Sequence, residues 1–390
     1  MRLQKQATQA RPLTPAGSIA LDVIRFGAAV AVVVGHLSNY PFSLHWPYLL
    51  KLALSAVAVF FVLSGFVIRL ITKVRPIEAR DYAIDRFSRL YSVTVPAVLF
   101  TLLAAFVLHL FPSTRLGSIV EFDLRKIAPQ TLANLTFTAE IWGFDFPVSF
   151  NSVFWSLCYE FSYYCFYGLA FFGRGWVRWV SLVALALFVG PPILFLLPLW
   201  LFGCLIHDLY QKLRTQRNSL SYLTGIFATG LIAVVLLRPV LRSLGHRVAA
   251  TMPHSSLTGL LHWSKDHGLH LLQRASFHAY VVGVPTGLLL LYLLLLLERS
   301  KLRKDHAVIP IIRRIADGTF SLYLFHLPLL MLFVAYIPYD RTSNIQKIAL
   351  LLVTIALSVL IEIPLNHFKR FLRKKLSISS AASRSVVSTR

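Results

Sequence analysis

An arginine and a histidine, Arg25 and His36, lie eleven positions apart in an otherwise apolar run, LDVIRFGAAVAVVVGHLSNY. A neutral imidazole can take a proton from an alcohol, because its free pKa is near 6.5. A guanidinium fork suits phosphate or carboxylate oxygens. On a helix turning about 100° per residue the two side chains share a face, ~16 Å apart along the axis. Asp22, three positions before Arg25, can pair with it and keep both charges inside an apolar segment. Taken alone, His36 could equally be an interfacial histidine packed against Trp46 and Tyr40.

Four further stretches carry polar groups in apolar surroundings. In FFVLSGFVIR, Ser64 and Gly65 open a small gap in a bulky run. That gap permits close helix packing, or a narrow passage for an acyl chain. In EARDYAIDRFSRLYSV, Arg80, Arg86 and Arg89 alternate with tyrosines, a pattern that suits either a nucleotide or membrane anchoring. In NSVFWSLCYE, Ser156 and Glu160 share a helical face, at a depth where the carboxylate could orient His36. In SLYLFH, Tyr323 and His326 share a face at i,i+3. Glu362, before Pro364, is read as a partner for nearby arginines.

These residues need helices in a membrane to position them. Of the 390 residues, 56% are hydrophobic and 14% charged, against roughly 25% charged in a soluble domain. Apolar runs near 20 residues recur. They predict an all-α polytopic membrane protein of about ten spans in one bundle. The spans are near 18–39, 49–70, 90–111, 151–172, 176–190, 192–209, 219–237, 278–297, 316–337 and 345–367. Gly190-Pro191-Pro192 divides the fifth from the sixth, as a hairpin or as a kink.

Net charge is +23, with 39 Lys and Arg against 16 Asp and Glu. Most of the cations fall in loops that share one side if both termini are cytoplasmic. Merging the fifth and sixth spans would put Lys212–Arg217 and the basic tail outside. The charge therefore reads as topology and contact with anionic lipid, not as nucleic-acid binding. The first apolar run has no small-residue cleavage site and reads as a retained span. Cys158, Cys165 and Cys204 all fall in apolar segments and give no disulfide framework. Two long outer loops, 112–150 and 238–277, are expected to be functional or to carry short helices. The second is rich in histidine, but its spacing matches no metal-ligand pattern, so no metal is expected. Residues 1–17 read as a cytoplasmic tail, 18–375 as the membrane domain and 376–390 as a disordered tail.

In order along the chain, Arg25 with His36, FFVLSGFVI, RFSRLY, FWSLCYE, SLYLFH and Glu362-Ile363-Pro364 resemble the acyltransferase-3 membrane proteins. The likeness spans residues ~18–375. Cys158-Tyr159-Glu160 departs from it by keeping one acid where many members have two, and the extracytoplasmic hydrolase-like domain of some members is not found. The resemblance implies transfer of a short acyl group, most often acetyl, from cytoplasmic acyl-CoA to a carbohydrate or glycolipid hydroxyl at the outer side of a bacterial inner membrane. By the same resemblance, His36 and Glu160 would be catalytic. Arg25, Ser64, Gly65, Arg80, Arg86 and Arg89 would hold the donor. Asp22, Trp155, Ser156, Tyr323 and His326 would support the substrates. A secondary transporter also suits many helices with intramembrane charge, although no internal repeat is seen. A non-catalytic glycan-export component is the third expectation.

Overall fold

Thr14 starts the first helix by accepting a hydrogen bond from the Gly17 amide, with Pro15 in the first turn, where its missing N–H costs nothing. In the computed structural model, residues 11–39, 41–43, 49–116, 122–216, 277–300, 302 and 307–388 are described. The helices are α1 (Pro15–Leu37), α2 (Leu50–Val74), α3 (Ala79–Leu110), α4 (Leu124–Leu135), α5 (Trp155–Phe172), α6 (Gly175–Val189), α7 (Pro191–Leu213), α8 (Phe277–Leu297), α9 (Val308–Asp317), α10 (Thr319–Tyr336) and α11 (Asn344–Ser388). Among the described residues there is no strand beyond one isolated bridge, Val148 to Asn151.

Seven of the described helices, α1, α2, α3, α7, α8, α10 and α11, are long and apolar enough to cross a membrane. The protein is thus an all-helical, multi-pass membrane protein. Helix α6 is apolar but shorter, at 15 residues. It turns Trp176, Trp179, Val183 and Leu187 outward, as a lipid-facing helix would. Helix α5 is rich in tyrosine and lies in the core, with Tyr159, Tyr163 and Tyr164 buried.

Several boundaries differ from the sequence expectation. The span expected at 90–111 begins at Ala79, so Arg80, Arg86 and Arg89 ride on the same helix as the span itself. Pro96 lies inside that helix without ending it, because one lost backbone bond is tolerated in a long apolar helix supported by neighbours. The expected span 316–337 is divided at Gly318 into amphipathic α9 and apolar α10. Helix α11 continues to Ser388, through the expected tail. Residues 176–190 and 192–209 form two helices. Gly190 joins them at φ +81°, and two prolines open the second. An added Cβ at Gly190 would come within 2.9 Å of Trp142, so glycine is needed there twice over. The expected span 219–237 and the histidine-rich 238–277 segment lie outside the described residues, apart from Phe277, which opens α8. Tyr40 and Trp46, the expected neighbours of an interfacial His36, lie outside them too. The 112–150 segment carries a short helix of its own, α4.

Helices α2 and α7 meet backbone to backbone. A Cβ on Gly65 would lie 2.0 Å from the Trp200 carbonyl oxygen, and one on Gly203 would lie 2.1 Å from that of Val62. Gly65 therefore serves close packing. Its neighbour Ser64 faces the other way, into the cavity within the bundle.

Candidate active site

Polar side chains from seven helices converge on one cavity of about 180 Å³. Helix α1 supplies Arg25, α2 Ser64, α3 Arg86 and Arg89, and α5 Ser156, Glu160 and Tyr164. Tyr323 comes from α10, while Glu362, Asn366 and Lys369 come from α11. Asp317, the last residue of α9, also reaches the wall. Phe60, Phe61, Val57 and Leu157 also line the cavity, and the Phe60 ring packs edge-on against that of Tyr323 at 5.8 Å.

Arg25 donates to Asp22 at 3.4 Å and to the Ala316 carbonyl at 3.3 Å. The expected local pair with Asp22 is thus present, and it is shared with the α9–α10 corner. Glu160 is held by hydroxyls: Ser64 donates to it at 3.1 Å, and Tyr164 also donates. Arg86 lies over the Tyr164 ring, 5.7 Å from its centre. Glu362 accepts from Ser321 on α10. At the other end of the cavity, Ser156 and Tyr323 share a hydrogen bond of 2.6 Å, and Tyr323 also donates to the Val153 carbonyl at 3.1 Å.

His36 lies outside the cavity wall. Its neighbour is His326, with ring centres 5.1 Å apart. Tyr323 links the two regions, because it lines the cavity and its ring is 6.4 Å from that of His326. His326 is wholly buried, and its Nδ1 lies 3.1 Å from the Leu322 carbonyl and 2.8 Å from that of Tyr323. Carbonyl oxygens only accept, so Nδ1 carries the proton in that hydrogen bond. The Nε2 atom has no partner among the described residues. In the neutral ring its lone pair is available to an N–H or O–H donor.

The structure brings together Arg25, Ser64, Arg86, Arg89, Ser156, Glu160 and Tyr323, and pairs His36 with His326. Arg25 and His36 address one continuous stretch of chain: the first meets Ala316 near the end of α9, the second His326 in α10. Glu160 does not take the place beside His36 that its sequence depth suggests, since its oxygen is engaged by Ser64 and Tyr164. Gly65 contacts α7, not the cavity. Arg80 donates to the Ser377 carbonyl at 3.3 Å and so ties α3 to α11. Trp155 packs edge-on against Phe61 and Tyr159, at 6.4 and 5.2 Å.

Sequence reasoning misses Tyr164, Asp317, Asn366 and Lys369. One signal is available for three cavity residues. Glu362, Asn366 and Lys369 follow i, i+4, i+7 spacing, which puts them all on one face of α11.

Among the described residues, no group of three or more His, Cys, Asp or Glu could hold a metal ion. The chain matches no curated protein and no solved structure. It does match, over residues 18–363, the family model of the acyltransferase-3 domain, which is described as an acyltransferase domain. That span takes in α1 through the first part of α11, and with it His36, His326 and every cavity residue except Asn366 and Lys369. A cavity walled by charges of both signs, joined through one tyrosine to a pair of histidines, lies in a multi-pass helical bundle that belongs to the acyltransferase-3 family.

Proposed function

We propose that this acyltransferase moves a short acyl group, most often acetyl, from cytoplasmic acyl-CoA to a hydroxyl of a carbohydrate. The acceptor would be an exopolysaccharide, O-antigen or glycolipid at the outer side of a bacterial inner membrane. The bundle would have about ten spans, counting 219–237, with both termini in the cytoplasm. In that orientation α1 and α10 run outward, so the cationic end of the cavity faces the cytoplasm and the histidine pair lies toward the outside.

The observation that carries this reading is the cavity itself. Arg25, Arg86, Arg89 and Lys369 stand at one end, and Ser156 and Tyr323 close the other, beside His326. Cations suit the donor's phosphates. The apolar walls of Phe60, Phe61 and Val57 suit a short acyl chain and keep water from the thioester.

His36 acts on the acceptor. The hydroxyl oxygen bonds to the thioester carbon as its proton passes to His36. The carbon–sulfur bond breaks, and the departing sulfur takes that proton, leaving ester and free thiol. His326 stands beside His36 with its Nε2 unpartnered among the described residues; during the reaction that atom would accept the N–H of His36 and hold the His36 ring in the right tautomer, much as a carboxylate does in a triad. If His36 attacks first, an acyl-imidazole forms and the acceptor then displaces it. The two routes have the same overall balance. Glu160 supports the donor end.

The test is transfer of labelled acetyl from acetyl-CoA to glycan by membranes carrying the full chain. His36→Ala should abolish transfer while the protein still inserts. Undiminished transfer by that variant would sink the mechanism. Movement of an unmodified solute across the membrane, with no acyl transfer, would favour a transporter instead.

A further inference from the structure

Helix α11 runs on past the span matched by the family, which ends at residue 363. Two of its residues beyond that point, Asn366 and Lys369, line the cavity together with Glu362. Their spacing continues as a stripe. Arg373 pairs with Asp85 of α3 at 3.0 Å, and the Ser377 carbonyl accepts from Arg80 of α3 at 3.3 Å. Positions 362, 366, 369, 373 and 377 thus share one face of α11, and the last two are fastened to the first turns of α3. That fastening holds Lys369 in the wall of the cavity that Arg86 and Arg89 also line.

Among the described residues, none of Arg86, Arg89 and Lys369 makes an ion pair or hydrogen bond. The cavity holds four cations, Arg25, Arg86, Arg89 and Lys369, against three acids, Glu160, Asp317 and Glu362, so it carries a formal excess of one positive charge. The unpaired N–H groups of Arg86, Arg89 and Lys369 suit the several oxygens of a phosphate, and a phosphate diester, with its single charge, balances that excess. Asn366 lies one turn further in, where its amide can both donate to and accept from a peptide-like arm.

We propose that Asn366 and Lys369 are donor-binding residues. Lys369 completes, with Arg86 and Arg89, a site for the phosphate of a phosphopantetheine thioester, and Asn366 meets an amide of the pantetheine arm. This rests on the donor reading given above. Phosphopantetheine has two sources, coenzyme A and an acyl carrier protein, and the chemistry of the mouth is common to both.

The test uses the full-length protein in nanodiscs of zwitterionic lipid, so that no anionic headgroup competes. Binding is measured by calorimetry for coenzyme A, for phosphopantetheine, for unphosphorylated pantetheine and for a holo acyl carrier protein. Lys369→Gln should weaken the phosphorylated ligands roughly tenfold and leave pantetheine unchanged, while Lys369→Arg restores binding. Asn366→Leu should weaken pantetheine and coenzyme A alike. Arg373→Gln, which frees the end of α11, should reproduce part of the Lys369→Gln loss. Tight binding of coenzyme A or of the carrier protein assigns the source. If Lys369→Gln binds coenzyme A as the wild type does while Arg86→Gln and Arg89→Gln lose it, the role given to α11 is wrong and the donor reading stands. If the wild type binds none of the phosphorylated ligands, both fall together.

Discussion

The two ends of the polar path through this bundle are built from opposite materials. At one end Arg25, Arg86, Arg89 and Lys369 face Glu160, Glu362 and Asp317 across an open cavity. At the other, His36 and His326 face each other, His326 is wholly buried, and the partners of its Nδ1 are backbone carbonyls. Charges are tolerable at the first end because they are mixed in sign and reached by solvent. At the second end His326 is cut off from solvent, and a neutral imidazole suits it because an ion there would be costly. The thioester donor proposed above would need both: an ionic grip on its phosphates and a water-poor place for its carbonyl. Tyr323 is where they meet, since it hydrogen-bonds Ser156 on the cavity side and lies beside His326 on the other.

The largest effect expected from breaking this contrast is at the histidine end. His36→Ala should lower acyl transfer by about 10²-fold or more, the usual range for loss of a general base, with donor affinity unchanged. Labelled-acetate transfer alongside calorimetry with coenzyme A would read both. His326→Ala should fall in the same direction but less far. Tyr323→Phe, which keeps the ring and removes only the hydroxyl, should separate the contribution of the tyrosine oxygen. Second in size is the cationic end. Arg86→Gln or Arg89→Gln should raise the donor KM roughly tenfold or more with a smaller change in kcat, because a charge-assisted hydrogen bond contributes about 1.5–3 kcal/mol. If either arginine variant changed kcat alone, the division of labour between the two ends would be wrong.

Glu160→Gln should be milder, a severalfold loss in kcat/KM, because the amide still accepts from Ser64 and Tyr164. An abolition of transfer equal to that of His36→Ala would return Glu160 to the place beside His36 that its sequence position suggests. The smallest effect on chemistry, and the largest on stability, belongs to Gly65→Ala. The added methyl meets the Trp200 carbonyl, so the thermal midpoint in detergent should drop, in line with overpacking costs of about 1–3 kcal/mol. The donor KM of whatever folded protein remains should not move.

How much of this is legible in the sequence follows from the kind of signal each residue leaves. Arg25, Ser64, Arg86, Arg89, Ser156, Glu160 and Tyr323 can be singled out because a polar group in or beside an apolar run is conspicuous, and all seven line the cavity. Lys369 and Asn366 cannot, because they fall where the chain turns basic and polar groups are expected anyway. Arg80 has the same chemistry as Arg86 and Arg89, yet it binds the carbonyl of Ser377 on α11. At i−6 from Arg86 it lies a full turn and more away along α3, beyond the cavity.

Hydrophobic runs and helical spacing already specify the long apolar helices, the face shared by Arg25 and His36, and the family to which the ordered motifs point. These are local properties, set by hydrophobicity and by helical periodicity. The packing of the helices settles which polar groups meet. It gave His36 a histidine for a partner and Glu160 two hydroxyls, and it set Gly65 against α7. Pairings between helices depend on rotation, register and neighbour choice, and none of these is written in the periodicity of a single helix.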